Sequence, residues 1–252
     1  MDFYGFYTGK IFDAYQYLGA HTEKTGVTFR TFAPSASRIA VIGEFNDWQE
    51  SEMNKVYDGN FWECYIPEAK PGQMYKYRIY DRNDNPVDHC DPYGFGMELR
   101  PNSASIVRDM SKYKFKDSKW MQNRSDCRQK PLNIYEIHFG SFRKPSDKAD
   151  DWYTYEDMID ILIPYLTKNG YNYLEIMPLN EYPCDESWGY QATGFFSPTS
   201  RYGTADQLKA FVDACHKHGI GVLMDFVPVH FAVDAYGLAN YDGTALYEYP
   251  NS

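Results

Sequence analysis

Residues 26–80 alternate between apolar and polar positions with a period of two. In GVTFRTFAP, Val27 and Phe29 share one face before the run stops at Pro34. In RIAVIGEF, Ile39, Val41 and Phe45 fall on one side. YDGNFWECYI sets an Asp58-Gly59 turn ahead of an alternating run, which predicts a hairpin. QMYKYRIY places Tyr75, Tyr77 and Ile79 opposite Lys76 and Arg78, and NDNP at 83–86 closes the stretch. Short strands separated by turns predict a β-sandwich.

Beyond about residue 130 the period changes. LNIYEIHF (132–139), YNYLEIMP (171–178) and IGVLMDFV (220–227) are short, nearly continuous apolar runs. Between them, TYEDMIDILIPYLTKNG (154–170) and TADQLKAFVDACHKHG (204–219) have helical spacing. Thr154 and Thr204 are N-caps, and Gly170 and Gly219 are stops. Pro164 inside the first helix predicts a kink. The order β-α-β-α-β with apolar strands predicts parallel pairing with helices outside. The seam falls near CRQKP (127–131), dividing the chain into 1–128 and 129–252.

Composition narrows the partners. The net charge of −10 argues against nucleic acid and anionic membrane, both of which need a basic surface. It suits a neutral or cationic ligand. No apolar stretch has the length of a membrane helix. The opening MDFYGFYTGK lacks the basic flank and apolar core of a signal peptide, so none is expected. Five scattered cysteines without a C-x-x-C pair read as free thiols in a reducing cytoplasm. Aromatic residues make up 18% of the chain; they serve cores, and they also stack on sugar rings. His216 and His218, at i and i+2 near a helix end, do not face each other as metal ligands would.

In parallel α/β proteins, ligands bind at the carboxyl ends of the strands. The first strand delivers Glu136 and His138 there, and the third delivers Asp225 and then His230. Placement alone leaves two readings of Asp225: a carboxylate serving a site at the rim, or a loop cap and ion-pair partner. The second strand opens into NEYPCDESWGYQATGFFSPTSRYGT (180–204), long, aromatic and studded with glycine. Loops of that length are functional or disordered, and Trp188, Tyr190, Phe195, Phe196 and Tyr202 argue for order.

SWGYQATGFFSPTSRYGT followed by GVLMDFVPVHF resembles the 1,4-α-glucan (glycogen) branching enzymes of the α-amylase-type glycoside hydrolase superfamily. YLGAH, GVTFRTFAPSASRIAVIGEFNDW and YKYRI resemble the immunoglobulin-like, glycogen-binding-type module that precedes their barrel. NIYEIHFGSF resembles the first barrel strand. The resemblance implies a β-sandwich followed by the first three strands of a (β/α)8 barrel. It implies an enzyme that moves a cleaved α-1,4-glucan segment to a 6-hydroxyl by retaining double displacement. By the same resemblance, Asp225 helps organise the site and its arginine, His230 bonds the sugar beside the cleaved bond, and Tyr190 stacks on that ring. Trp188 and Gln191, on either side of Tyr190 in the same motif, complete the expected substrate-contacting set.

Two departures refine the expectation. Val229 stands where many amylases place a calcium-binding asparagine, which implies no calcium and no cofactor. The family's nucleophile and acid follow the fourth and fifth strands, whereas about 120 residues after the seam hold three. Both carboxylates are therefore expected beyond Ser252, and the chain reads as an N-terminal part without catalytic residues, inactive alone. It is expected to bind glycogen or amylose and to self-associate through its third strand. Rival readings are a non-catalytic α-glucan-binding protein, with Trp48 and Trp62 as stacking candidates, and an amylase-like or debranching hydrolase.

Overall fold

The structure, a computed structural model, describes residues 1–124, 129–229 and 231–250. Three positions singled out above lie outside the described residues: Cys127 at the seam, His230 of the expected sugar-binding set, and Ser252, beyond which the nucleophile and acid are expected.

Helix α1 (Phe3–Tyr7) precedes the strands β1 (Gly19–Thr22), β2 (Val27–Phe32), β3 (Arg38–Gly43), β4 (Ser51–Glu52), β5 (Asn54–Val56), β6 (Phe61–Ile66), β7 (Met74–Tyr80), β8 (Pro86–His89) and β9 (Ser105–Ile106). They form two antiparallel sheets, β1-β2-β6-β5 and β4-β3-β7-β8, with β9 on the flank of β7. The period-two residues meet between them: Val27, Phe29, Ile39, Val41, Tyr75, Tyr77 and Ile79 share one core. Trp62 belongs to this core, and its indole N–H donates to the Ala33 carbonyl at 3.0 Å. Trp48 is exposed in a left-handed turn (φ 59°). The predicted two-residue turn is a four-residue connection, 57–60, with Tyr57 and Gly59 at positive φ. Asp58 accepts from the Asn60 N–H, so the aspartate closes the turn from inside the loop.

The other face of β2 and β6 would leave Phe32 and the edge of Phe61 in water. Helix α1 covers it: Phe3 and Phe6 pack edge-on against Phe61, and Phe6 meets Phe32. Asp2 caps α1 by accepting from the Gly5 N–H at 2.9 Å.

Helix α2 (Ser118–Asn123) leads to the second half. Strands β10 (Ile134–Ile137), β11 (Tyr173–Ile176) and β12 (Gly221–Met224) form a parallel sheet in that order. The one-turn helix α3 (Phe139–Phe142) takes over the end of the first apolar run. Helices α4 (Asp157–Lys168) and α5 (Ala205–Lys217) cover one face, burying Met158, Leu162, Leu166, Phe211 and Cys215 against Leu174 and Ile176. Thr204 caps α5 with a reciprocal bond to Gln207, as expected, whereas α4 starts at Asp157 with Glu156 as its N-cap; Thr154, the expected cap, bonds reciprocally with Asp157 in the turn just before it. Helix α4 continues through Pro164, which lies on its exposed side, where water can satisfy the carbonyl one turn back.

The halves are interlocked. Tyr241 sits in the sandwich core, with its hydroxyl 2.7 Å from Thr31 Oγ1, and Asp242 accepts from the Ser35 N–H. In the opposite direction, Tyr113 donates to Asp213 on α5, while Asp117 and Trp120 hold His216 by a 2.8 Å bond and a stacked ring.

One carboxylate is buried inside the sandwich. Asp91 accepts from the hydroxyls of Tyr75 (2.7 Å) and Tyr77 (3.1 Å). Burial pushes its pKa up to about 6, and the tyrosine and Tyr93 N–H bonds offset only part of that. Because the folded pKa is raised, the native state holds this proton more tightly than the unfolded chain does. The contribution of Asp91 is most favourable below about pH 4 and is lost as pH rises through about 6, a change of roughly 3 kcal/mol. Asp91→Asn should flatten the difference in stability between pH 4.5 and pH 7 relative to the parent. Urea melts of both proteins at the two pH values check this; parallel pH dependences would refute it.

Candidate functional site

The three parallel strands point the same way, so their carboxyl ends share one rim. Their inward-facing positions carry Glu136 and Glu175 side by side in register, with Leu223 next in line. Asp225 follows β12 directly, and its N–H still donates to the Ile176 carbonyl at 2.9 Å. That bond extends the pairing one step and sets Asp225 on the face of Leu223, two residues back.

The loop after β11 folds back over this rim. Glu181 N–H bonds to the Ser197 carbonyl, Thr193 N–H to the Glu181 carbonyl, and Thr199 N–H to the Leu179 carbonyl. A 3₁₀ turn at Asp185–Ser187 ends with Trp188 in a left-handed conformation (φ 55°), followed by Gly189 (φ 92°). A Cβ on Gly189 would lie 2.5 Å from the Pro178 carbonyl oxygen, so only glycine fits the reversal that aims Tyr190 back at the strand ends.

Tyr190 then reaches Asp225: its hydroxyl donates to a carboxylate oxygen at 2.6 Å. That bond raises the phenol to about 12, with burial and the charges of Asp225, Glu136 and Glu175 adding to it. Trp188 is 56% exposed, its ring 6.0 Å from that of His138 at the end of β10. Burial and the nearby Arg201 charge lower the His138 pKa, so the imidazole is neutral near pH 7. Gln191 is exposed on the same loop. The rim thus gathers His138 from the end of β10, Trp188 and Tyr190 from the loop after β11, and Asp225 from the end of β12. The position assigned to His230 lies outside the described residues. The partner of Asp225 among the described residues is a tyrosine rather than an arginine.

What holds the loop was not foreseen from the sequence. Arg201 has its side chain 1% exposed and pairs with Glu181, 4% exposed, at 2.8 Å. Its guanidinium lies over the Tyr182 ring at 3.7 Å and also bonds Asp185 at 2.5 Å. Asp185 in turn pairs with Arg100 from the sandwich, which also reaches Asp150. Glu181 accepts from Ser200 N–H (2.7 Å), the Ser200 hydroxyl (2.6 Å) and the Thr199 hydroxyl (3.2 Å). Burial raises the Glu181 pKa against these bonds. Burial acts on Asp185 in the same sense, but the hydrogen bonds from Arg100 and Arg201 outweigh it and hold that carboxyl below its usual range. A signal was available: one arginine amid aromatic residues, twenty positions after a glutamate in the same loop.

Removing one partner strands the other charge. Arg201→Met should cost about 3–5 kcal/mol in urea unfolding, and adding Glu181→Leu should recover much of it. At the rim, Asp225→Asn should return the Tyr190 titration toward that of an ordinary phenol. Ring-carbon NMR of tyrosine-labelled protein reads this; an unmoved titration would mean that the hydrogen bond is not its cause.

Comparison with known proteins agrees with this architecture. Residues 17–94 match the model of carbohydrate-binding module 48 (isoamylase N-terminal domain), and residues 148–240 match that of the α-amylase catalytic domain. The chain is 47% identical over 98% of its length to a protein named 1,4-alpha-glucan branching enzyme GlgB from Dechloromonas aromatica, covering 40% of it. It is 44% identical to the protein of the same name from Fusobacterium nucleatum, covering 99% of this chain and 41% of that one. A crystal structure of a putative α-amylase from Salmonella typhimurium superposes with a TM-score of 0.68 at 26% identity, covering 87% of this chain and 34% of that one. The chain spans about 40% of the length of the curated relatives it matches. It is a homologue of the N-terminal part of the 1,4-α-glucan branching enzymes, joining a carbohydrate-binding module 48 to the first strands of an α-amylase-type catalytic domain.

Proposed function

We propose that this chain is the glucan-holding N-terminal part of a 1,4-α-glucan branching enzyme of glycogen biosynthesis. The whole enzyme would cleave an α-1,4-linked segment and transfer it to a 6-hydroxyl, with glycogen or amylose as substrate. The observation that carries this reading is the Tyr190–Asp225 bond at the strand ends, in a chain nearly half identical to proteins named branching enzymes. In this reading, the Tyr190 ring stacks on the C–H face of a glucosyl unit, and the exposed Trp188 extends the platform. Asp225 keeps an oxygen free to accept from a sugar hydroxyl or a guanidinium. Gln191 offers an amide, and His230 an imidazole, to hydroxyls of the same chain of sugars.

The domain boundary at 128/129 belongs to this proposal: 1–128 anchors glucan and 129–252 begins the catalytic barrel, whose nucleophile and acid would follow Ser252. A cytoplasmic setting is part of it too, supported by Cys64, Cys90, Cys184 and Cys215, which are unpaired among the described residues. No helix among those residues is long and apolar enough to cross a membrane. The net charge of −10 suits a neutral polymer better than nucleic acid or an anionic surface.

Retaining displacement needs two carboxyl groups about 5 Å apart around the scissile bond. At the rim, Asp225 is held by Tyr190, while Glu136 and Glu175 sit lower, within the strands. We therefore expect the 252-residue chain to bind glycogen without branching it. Two assays test this: retardation in glycogen gels, with and without chelator, and chain-length profiling of amylose after incubation and debranching. Retardation unaffected by chelator with no new branch points is expected. New branch points abolished by Asp225→Ala would overturn the supporting role of Asp225. The outer edge of β12 is unpaired among the described residues, and Leu223, Met224 and Phe226 around it are exposed. Such an edge invites pairing with a second copy, so sedimentation should show mass rising with concentration.

A further inference from the structure

A recess of about 520 Å³ lies at the seam between the halves, bounded by α2 and the end of α5. Its size suits a small organic ligand, and such sites favour domain boundaries. The Trp120 ring, stacked on the His216 imidazole at 4.8 Å, gives it an aromatic wall. The imidazole is fixed from the other side, with Nδ1 2.8 Å from the Asp117 carboxylate. A carboxylate only accepts, so Nδ1 carries a proton, and Nε2 has no hydrogen bond among the described residues.

The polar groups of the recess are unevenly spent. Lys116, Lys119 and Lys217 line it, and no acceptor bonds their ammonium groups among the described residues. The carboxylates beside them are engaged. Asp213 accepts from the Tyr113 hydroxyl at 2.7 Å and from the Lys116 N–H with both oxygens, and Asp117 accepts from His216. Carbonyls at the end of a helix would repel an anion, but those of Ala214, Cys215 and His216 are met by the His218, Ile220 and Gly219 N–H groups. Donors are therefore in surplus. The surrounding segment has the same bias: between residues 112 and 124, Lys112, Lys114, Lys116, Lys119 and Arg124 stand against Asp117 alone, in a chain of net charge −10. A long polyanion or an anionic membrane laid across this patch would also meet the net negative charge of the rest of the chain; a ligand held within the recess does not. The ammonium groups thus select a small anion, and the indole and imidazole select one that carries a planar ring.

We propose that the recess between Trp120, Lys119 and Lys217 binds a nucleoside phosphate, with its base against the Trp120–His216 pair and its phosphates on the lysine ammonium groups, a ligand unrelated to the sugar chain at the rim. The test is calorimetric titration of the 252-residue chain with adenosine diphosphate, adenosine and inorganic phosphate. It is repeated on the double variant Lys119→Gln/Lys217→Gln, on Trp120→Ala, and on Lys24→Gln, whose lysine does not line the recess. The parent is expected to bind the diphosphate about tenfold more tightly than adenosine or phosphate alone. Loss of two exposed charge contacts in the double variant should weaken it about tenfold. Trp120→Ala should weaken it by about tenfold or more through loss of the base stack, and Lys24→Gln should leave it unchanged. Phosphate or adenosine binding as tightly as the diphosphate overturns the ligand class. No binding by the parent, or equal weakening in Lys24→Gln, overturns the site and leaves the glucan reading untouched. Thermal melts confirm folding; should Trp120→Ala open the seam and unfold, the double variant, which trims only exposed ammonium groups, decides the matter.

Discussion

The buried guanidinium of Arg201 is the constraint on which the rim depends. It is out of water, so its charge must be met by fixed acceptors, and Glu181 and Asp185 supply them from the opposite end of the same loop. Glu181 uses its remaining lone pairs on the Ser200 and Thr199 groups, leaving no slack in the cluster. A buried ion pair of this kind adds little net stability compared with an apolar replacement, because desolvation consumes the Coulombic gain. Its effect is on geometry. With both carboxylates aimed at one cation, the segment 180–201 has a single closed arrangement, and the turn at Trp188 and Gly189 faces the strand ends in it.

The same cluster reaches across the molecule. Asp185 is shared between Arg201 and Arg100, so the rim loop is tied to the sandwich by charge. Tyr241 and Asp242 do the same with neutral and charge-assisted bonds at the far side of the sandwich core. Tyr113 and Asp117 grip α5 from below. These crossings make the sandwich a brace for the barrel half rather than a module on a tether.

Much of this was legible in the sequence, and the reason is periodicity. Alternation put Val27, Phe29, Tyr75 and Tyr77 on core-facing positions, and helical spacing located α4 and α5, the latter together with its cap Thr204. That Asp225 would lie at the strand ends was legible because parallel strands deliver their last side chains to one end, and Tyr190, singled out by the resemblance, meets it there. Local conformation was read less well. The Asp58-Gly59 signal was right in place and wrong in length, since Tyr57 also takes positive φ. Pro164 does not end α4, because the freed carbonyl faces water.

By itself, the sequence determined the two architectures, their order, the net negative charge and the end of the sheet to which Tyr190 and Asp225 are delivered. All of these follow from patterns within a dozen residues or from composition. Only the tertiary structure decided that Arg201 is the buried cation, that Arg100 reaches its partner Asp185 across 85 positions, and that Tyr241 enters the sandwich core and bonds Thr31, 210 residues earlier. Electrostatic and hydrogen-bond partners are chosen by distance in space, and spacing along the chain carries no record of that distance once it exceeds a turn of helix or a hairpin.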